Sequence, residues 1–371
     1  MYAQGEYDRM RHTQEGMKQV MKRTTAAGAA GILAMSLLTG CGSVNNDDVV
    51  ATVGKDQITA GMANFYARMQ QAQYETYYAG MMGTTGDAMW TQEVDEDGTT
   101  YEESVKEGLL TSLENMYLLK QHASEYEVVV TEKELKKIEE TAAKFDEDNT
   151  LEDKEAVSGE KQYVEEFLRM ATIQQKMQKP MKSGVNEEVA DEEGAQKRMQ
   201  YVYFPYSTTD EEGKQKNLTE EEKKELKKTA QKFAEDLKAN ETADIEGMAK
   251  SAGYEVQSAT FDAESVSPDA ELVKVADGLN AEGDVTGGIE SEYGLYVGKL
   301  VSLLDREATD QEKKNIIEQR KQKQYDDLIE AWRKETKIEE NKNVWDKIDF
   351  EKQGVTMKAS AEQYDEIPTA E

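Results

Sequence analysis

Val49-Val50-Ala51-Thr52-Val53-Gly54-Lys55-Asp56-Gln57-Ile58-Thr59 decides how the chain is built. Val49 to Val53 reads as a strand, Gly54-Lys55-Asp56 as a turn, and Gln57-Ile58-Thr59 as the return that caps a helix. That helix, from Ala60 to about Gly80, carries Met62, Phe65, Tyr66, Met69, Tyr74, Tyr77 and Tyr78 in a broad apolar stripe. A Gly-rich break at Gly83 to Asp87 and an acidic turn at Asp95-Glu96-Asp97-Gly98 lead to a second helix near Tyr101 to Tyr126. There Val105, Leu109, Leu113, Met116 and Leu119 recur at helical spacing. Thr131-Glu132-Lys133-Glu134 is a capping box for a third helix. An acidic loop at Asp146 to Asp153 separates it from a fourth, with Tyr163, Phe167, Met170 and Met177 on one face and Pro180 at its end.

Lys182 to Glu193 is polar and acidic, as a hinge or linker would be. The pattern then changes. Tyr201-Val202-Tyr203-Phe204 reads as a strand, and Thr219-Glu220-Glu221-Glu222 as a capping box opening a helix to about Asn240. A short helix from Ile245 to Ala252, a strand from Val256 to Phe261, a helix begun by Ser267-Pro268 and a strand from Tyr293 to Leu304 follow. Thr309-Asp310-Gln311-Glu312 caps a long charged helix to about Glu340, and Val344 to Phe350 reads as a last strand. Glu351 to Glu371 has the composition of a disordered tail.

Cys41 is the only cysteine among 371 residues, and it closes Leu38-Thr39-Gly40-Cys41. Before it, Lys18, Lys22 and Arg23 precede the apolar run Thr24 to Gly40, which is too short and too rich in Ala and Gly for a membrane span. A basic stretch, an apolar stretch and small residues before the cut mark an export signal. The end of the run resembles the bacterial lipobox, in which the thiol takes a diacylglyceryl group and becomes the first mature residue. Two acyl chains hold a protein on a bilayer durably. The alternative is an ordinary secretory signal ending near a structural cysteine. Met1 to Gly16 is polar and foreign to such a leader, so translation is expected to start at Met17 or Met21.

The formal net charge is −31. Residues 1–41 hold five Lys/Arg and three Asp/Glu, so the remainder carries −33. Such acidity argues against nucleic acid as a partner and favours basic or unfolded segments over anionic lipid. With one cysteine no intramolecular disulfide forms, and stability must come from packing over roughly 330 residues, enough for about two domains.

Taken together, this order resembles the parvulin-type foldase lipoproteins of the PrsA kind and their SurA-like chaperone relatives. Val50 to Thr59 is similar to the opening hairpin of that family, V-A-x-V-(N)-G-x-x-I-T. Ala276-Asp277-Gly278-Leu279-Asn280-Ala281-Glu282-Gly283-Asp284-Val285-Thr286 resembles the parvulin helix end and turn, and Tyr293-Gly294-Leu295-Tyr296-Val297 stands where the last parvulin strand has Y-G-Y-H-I. The resemblance implies two histidines flanking a prolyl pocket, at positions that Tyr201 and Tyr296 take here. The chain's histidines are His12 and His122 alone, and Glu255 to Ser267 replaces the family's Gly-rich segment. Rotation about an X-Pro bond faces a barrier near ~20 kcal/mol, lowered by a pocket that desolvates and twists the imide. Loss of both histidines weakens the case for catalysis, although a tyrosine hydroxyl replaces part of a histidine's hydrogen bonding. Both tyrosines equally suit a strand core.

The Met- and Tyr-rich span from Met62 to Trp90 is the candidate client surface, with Met81, Met82, Met89, Trp90, Tyr77 and Tyr78 its foremost residues, because methionine and tyrosine offer adaptable apolar contact. The competing reading places these side chains in the helical core. Asp95 to Thr99 lacks the bidentate Glu of a calcium loop, so no metal is expected. No nucleophile–base pair, zinc spacing or phosphate loop is visible, and no cofactor is expected. Asn217-Leu218-Thr219 and Asn240-Glu241-Thr242 match a glycosylation pattern by chance.

The expectation is an α+β, predominantly helical protein: leader 1–41, helical chaperone region 42–190, parvulin-like module 195–305, helix and strand 306–350 packing on the chaperone region, and tail 351–371. The function expected is a folding factor for secreted proteins, anchored by lipid to the outer face of the cytoplasmic membrane of a bacterium, with a weak or inactive module. The alternatives are an active peptidyl-prolyl cis-trans isomerase and a solute-binding lipoprotein of a transporter. Partners are unfolded exported proteins and, through the lipid, the membrane; homodimerisation, the clients and the bacterial group stay open.

Overall fold

The structure, a computed structural model, describes residues 35–38, 44–80, 83–209, 214–239 and 244–357. Cys41, Met81, Met82, His12, Asn240 and the tail beyond 357 lie outside them. The chain divides into two compact units, residues 1–183 with 323–371, and residues 184–322. The break between Gln322 and Lys323 falls inside the helix Arg306–Glu335.

In chain order the strands are β1 (Met35–Leu38), β2 (Val49–Val53), β3 (Asp56–Thr59), β4 (Lys197–Pro205), β5 (Ser207–Thr209), β6 (Gln215–Asn217), β7 (Val256–Phe261), β8 (Ile289–Glu290), β9 (Gly294–Ser302), β10 (Ile338–Glu340) and β11 (Gly354–Met357). The helices are α1 (Ala60–Gln73), α2 (Gly86–Trp90), α3 (Tyr101–His122), α4 (Glu132–Asp148), α5 (Leu151–Val157), α6 (Lys161–Met181), α7 (Glu220–Lys238), α8 (Ile245–Ser251), α9 (Ala270–Asp277), α10 (Arg306–Glu335) and α11 (Lys342–Trp345). The predominantly helical α+β class is as expected.

In the first unit, β2 and β3 form the hairpin read from the sequence, turning at Gly54 with φ +58°, where Thr336 and Gln121 crowd the site of a Cβ. β10 completes the sheet on the other side of β2, pairing Ile338 with Val53. Thr59 caps α1 by accepting the amide of Met62. α1 is buried nearly all round, which explains its broad stripe. α6 approaches it so closely that a Cβ on Gly61 would lie 2.2 Å from the Tyr163 ring.

Asn64, Arg68 and Gln71 of α1 are buried as well, and all three are bonded. Arg68 donates to Asn64, to Gln71 Oε1 and to the carbonyl of Gln353; Gln71 donates to Glu75 and to the carbonyls of Phe350 and Gln353. Glu75 also accepts from the Trp90 indole at 2.9 Å and, on its other oxygen, from the amide of Val355 at 2.9 Å. Burial pulls the Arg68 guanidinium down to about 10, still charged at neutral pH, and pushes the Glu75 carboxyl up.

Several sequence expectations need correction. Met89 and Trp90, expected on the client surface, are both fully buried, Trp90 stacked on Tyr101 at 5.6 Å and tilted against Phe350 at 4.9 Å. Val344 to Phe350 is not a strand, because α11 begins at Lys342, and the strand is β10 before it. Residues 351–357, expected without structure, hold β11 with Val355 fully buried. Thr309 does not cap α10; it is buried and its hydroxyl accepts the amide of Gln196, while Asp305 accepts the amide of Ala308 at the helix start. β1 lies within the expected leader and pairs with β11.

Replacing Trp90 with alanine should lower the first unit's stability by about 3–5 kcal/mol. The urea midpoint followed by Trp332 and Trp345, which belong to the same unit, measures the loss.

Candidate functional site

The second unit is built on a four-stranded antiparallel sheet in the order β7-β4-β9-β8. Alternation along β4 divides it into two faces. Val202 and Phe204 pack with Phe233, Leu237 and Ile245 of α7 and α8. Met199 and Tyr201 point the other way, into Phe261, Leu272, Val273 and Leu300 around α9.

On the α9 face three tyrosines meet. The register sets Tyr203 opposite Tyr296 and Tyr201 opposite Gly298. The Tyr203 and Tyr296 rings stack with centroids 4.7 Å apart and an interplanar angle of 29°, and Tyr201 lies 5.9 Å from Tyr296. The two residues singled out in the sequence are therefore neighbours on one face, and a third, Tyr203, joins them. Tyr201 donates to Gln257 Oε1 at 2.6 Å and Tyr203 to the carbonyl of Tyr293 at 2.8 Å. Burial raises the pKa of all three phenols, Tyr203 and Asp269 adding to the effect on Tyr296. Each stays protonated at neutral pH, so the tyrosines offer aromatic faces and neutral donors, with the Asp269 carboxyl nearby.

Gly294 opens β9 where a Cβ would meet the carbonyl of Phe204 at 2.4 Å and the Tyr203 ring at 2.6 Å, so only glycine lets the two strands close here. Glu255 to Ser267, which replaces the Gly-rich segment, forms β7 and a turn in which Asp262 accepts from Gln196 and Ser265. An open cavity of about 850 Å³ in the same unit involves none of the tyrosines, and two of its basic residues are paired, Arg198 with Asp305 and Arg306 with Asp191.

His122 is far from this chemistry in role: its ring stacks on Trp332 at 4.1 Å and bonds Glu125, in the first unit. Of the expected client residues, Tyr77 is exposed and Tyr78 half-buried. Asp95 spends one carboxylate oxygen on the amides of Asp97 and Thr99, shaping its own turn. No cluster of metal-binding side chains occurs among the described residues.

A family model described as the SurA-like N-terminal domain matches residues 15–158. The foldase protein PrsA of Clostridium tetani (strain Massachusetts / E88) is 24% identical over 344 residues, 88% of this chain and 97% of its own length. Over most of its length the chain is therefore PrsA-like. Solved structures of PrsA foldases are similar in sequence at a lower level. That from Streptococcus pneumoniae str. Canada MDR_19A is 18% identical and covers 70% of this chain and 98% of its own, with a TM-score of 0.28. That from Lactococcus lactis is 13% identical and covers 81% and 97%, with a TM-score of 0.30. Superposition at those scores carries no weight, and the relationship rests on sequence.

For the PrsA-like chain, sequence reasoning missed Tyr203 and Gln257. Tyr203 was within the quoted strand, two residues from Tyr201 and so on the same face; only the register with β9 shows that it stacks on Tyr296. A double-mutant cycle of Tyr203→Leu and Tyr296→Leu should give a coupling of about 1 kcal/mol. Native-state hydrogen exchange of the β4 and β9 amides reads it, and a coupling at or below zero would remove the stack from the module's energetics.

Proposed function

We propose that the PrsA-like chain is an extracytoplasmic folding factor for exported proteins, tethered by a diacylglyceryl group on Cys41, with a module that binds rather than isomerises. The carrying observation is the relationship to a PrsA foldase along 344 residues. What lowers the isomerase reading is chemical: no histidine follows His122, and the positions taken for the parvulin histidines hold neutral, hydrogen-bonded or stacked tyrosines. Among the described residues no helix is long and apolar enough to cross a membrane. A transporter's solute-binding lipoprotein would need two strand-rich α/β lobes; the largest sheet described has four strands, all antiparallel.

Binding requires no ATP, because the apolar surface itself supplies the affinity. The purified protein of residues 42–371 should suppress aggregation of an unfolded protein near stoichiometric ratio without nucleotide. It should also accelerate an X-Pro peptide at least ~100-fold less than a histidine-bearing parvulin, a deficit of about 2.7 kcal/mol in transition-state stabilisation. A rate equal to that parvulin's would make isomerisation the working activity.

Cys41→Ala cannot form the thioether. Metabolic labelling with a fatty acid should mark the parent chain and leave the variant unlabelled, with the variant either unprocessed or shed to the medium. Label on the alanine variant would refute the anchor.

A further inference from the structure

β11 is bonded differently along its two edges. On one, the amide of Val355 donates to Glu75 Oε2 at 2.9 Å and that of Met357 to Thr76 Oγ1 at 3.0 Å. In an antiparallel ladder alternate residues turn both peptide groups to the same side, so Gly354 and Thr356 present theirs to the opposite edge. That edge is taken by β1, in the register Met35 to Met357, Ser36 to Thr356, Leu37 to Val355 and Leu38 to Gly354. The occupant is part of the segment read as an export leader, which processing before Cys41 removes.

Without β1 the strand would still be held. Val355 is fully buried, Met357 packs against the core, and the side-chain bonds from Glu75 and Thr76 fix the inner edge. An open edge of this kind accepts another strand, and proteins normally cover it. Tyr77, 59% exposed, lies in the π-helical turn Tyr74–Tyr78 next to β11, and Leu151, 69% exposed, lies on α5 next to β1. Large exposed apolar side chains therefore stand on the elements that flank the strand pair.

We propose that the outer edge of β11 is a strand-acceptor site for extended apolar segments of unfolded exported chains, kept closed before processing by the leader residues Met35–Leu38. The proposal rests on the leader and folding-factor readings above. Strand addition draws its affinity from main-chain hydrogen bonds and places few demands on sequence, which suits varied clients. The occupant's residues at the positions opposite Val355 and Met357 are Leu37 and Met35, both apolar, and this sets the preference for apolar residues at alternate positions.

The test compares residues 42–371 with the full chain bearing Cys41→Ala, produced without export so that the leader stays attached. The probe is a fluorescein-labelled peptide of residues 33–40, Leu-Ala-Met-Ser-Leu-Leu-Thr-Gly, followed by anisotropy. The leader-free protein should bind it at least tenfold more tightly. Thr356→Pro in that protein removes the outward amide alone and should weaken binding at least tenfold, with the tryptophan-detected urea midpoint unchanged. Ser36→Pro in the leader-bearing protein leaves β11 untouched and should raise peptide binding towards the leader-free value. A reduced, carboxymethylated protein that stays unfolded should displace the peptide. Equal binding by the two forms, binding indifferent to both proline variants, or no displacement overturns the proposal. Failure of the folding-factor reading is separately visible, as absence of aggregation suppression by either form while the peptide still binds.

Discussion

Everything in the first unit depends on one buried cluster, the Arg68, Gln71 and Glu75 side chains of α1 and the turn after it, bonded to the backbone of Phe350, Gln353 and Val355. A charged guanidinium and a carboxylate inside a core are costly unless every polar atom is paired. Here the pairing is with backbone from the far end of the chain, 279 to 285 residues away. The cost of burying these groups is met only when the C-terminal segment is in place, so the network acts as a latch specific for that segment. A hydrophobic patch in the same position would stabilise many partners about equally. Trp90 joins the latch from the side, its indole donating to the Glu75 oxygen that also accepts from Gln71 while its ring packs on Phe350.

In the second unit the constraint is packing of aromatic rings across a narrow strand pair. Tyr203, Tyr296 and Tyr201 set large neutral rings side by side, and the glycine at 294 is what lets β4 and β9 close beneath them. Parvulin-type rotation of an imide needs a pocket that strips water from the peptide bond and holds it twisted. A face already filled by its own stacked rings has aromatic contact to offer a bound proline, and less room in which to twist it.

Local chemistry made much of this legible in the sequence. The capping boxes at Thr131/Glu134 and Thr219/Glu222 are formed with both of their reciprocal bonds, and the Gly54 turn stands where the residue pattern put it. What stayed hidden was set by distant partners. Thr309 has the letters of a cap, yet Asp305 is better placed to take the free amide and Thr309 is drawn inward by Gln196. Met89 and Trp90 sit after a Gly-rich break, which suggests a loose loop; Tyr101 and Phe350 bury the tryptophan and no local pattern announces them. Residues 351–357 look like a tail because their composition is polar, and they are ordered by side chains of α1 and its following turn that arrived nearly 300 residues earlier. The candidate tyrosines were legible as positions, but their stacking is a property of register.

The discontinuity of the first unit also orders its assembly. Residues 184–322 are contiguous and enclose their own two clusters of core residues, so that unit holds all it needs once it has emerged. The first unit cannot close its polar latch until residues 323–357 are available, since Arg68 and Gln71 would otherwise face an apolar core with their acceptors missing. Long-range closure of this kind is slow compared with local pairing, and the chain spends that interval with α1 incompletely covered. The pairing of β1 with β11 joins the earliest described segment to the last, and it is available only after the latch has set β11 in place. Completion of the fold and placement of β11 are therefore the same event, which ties any activity of that strand to a finished molecule.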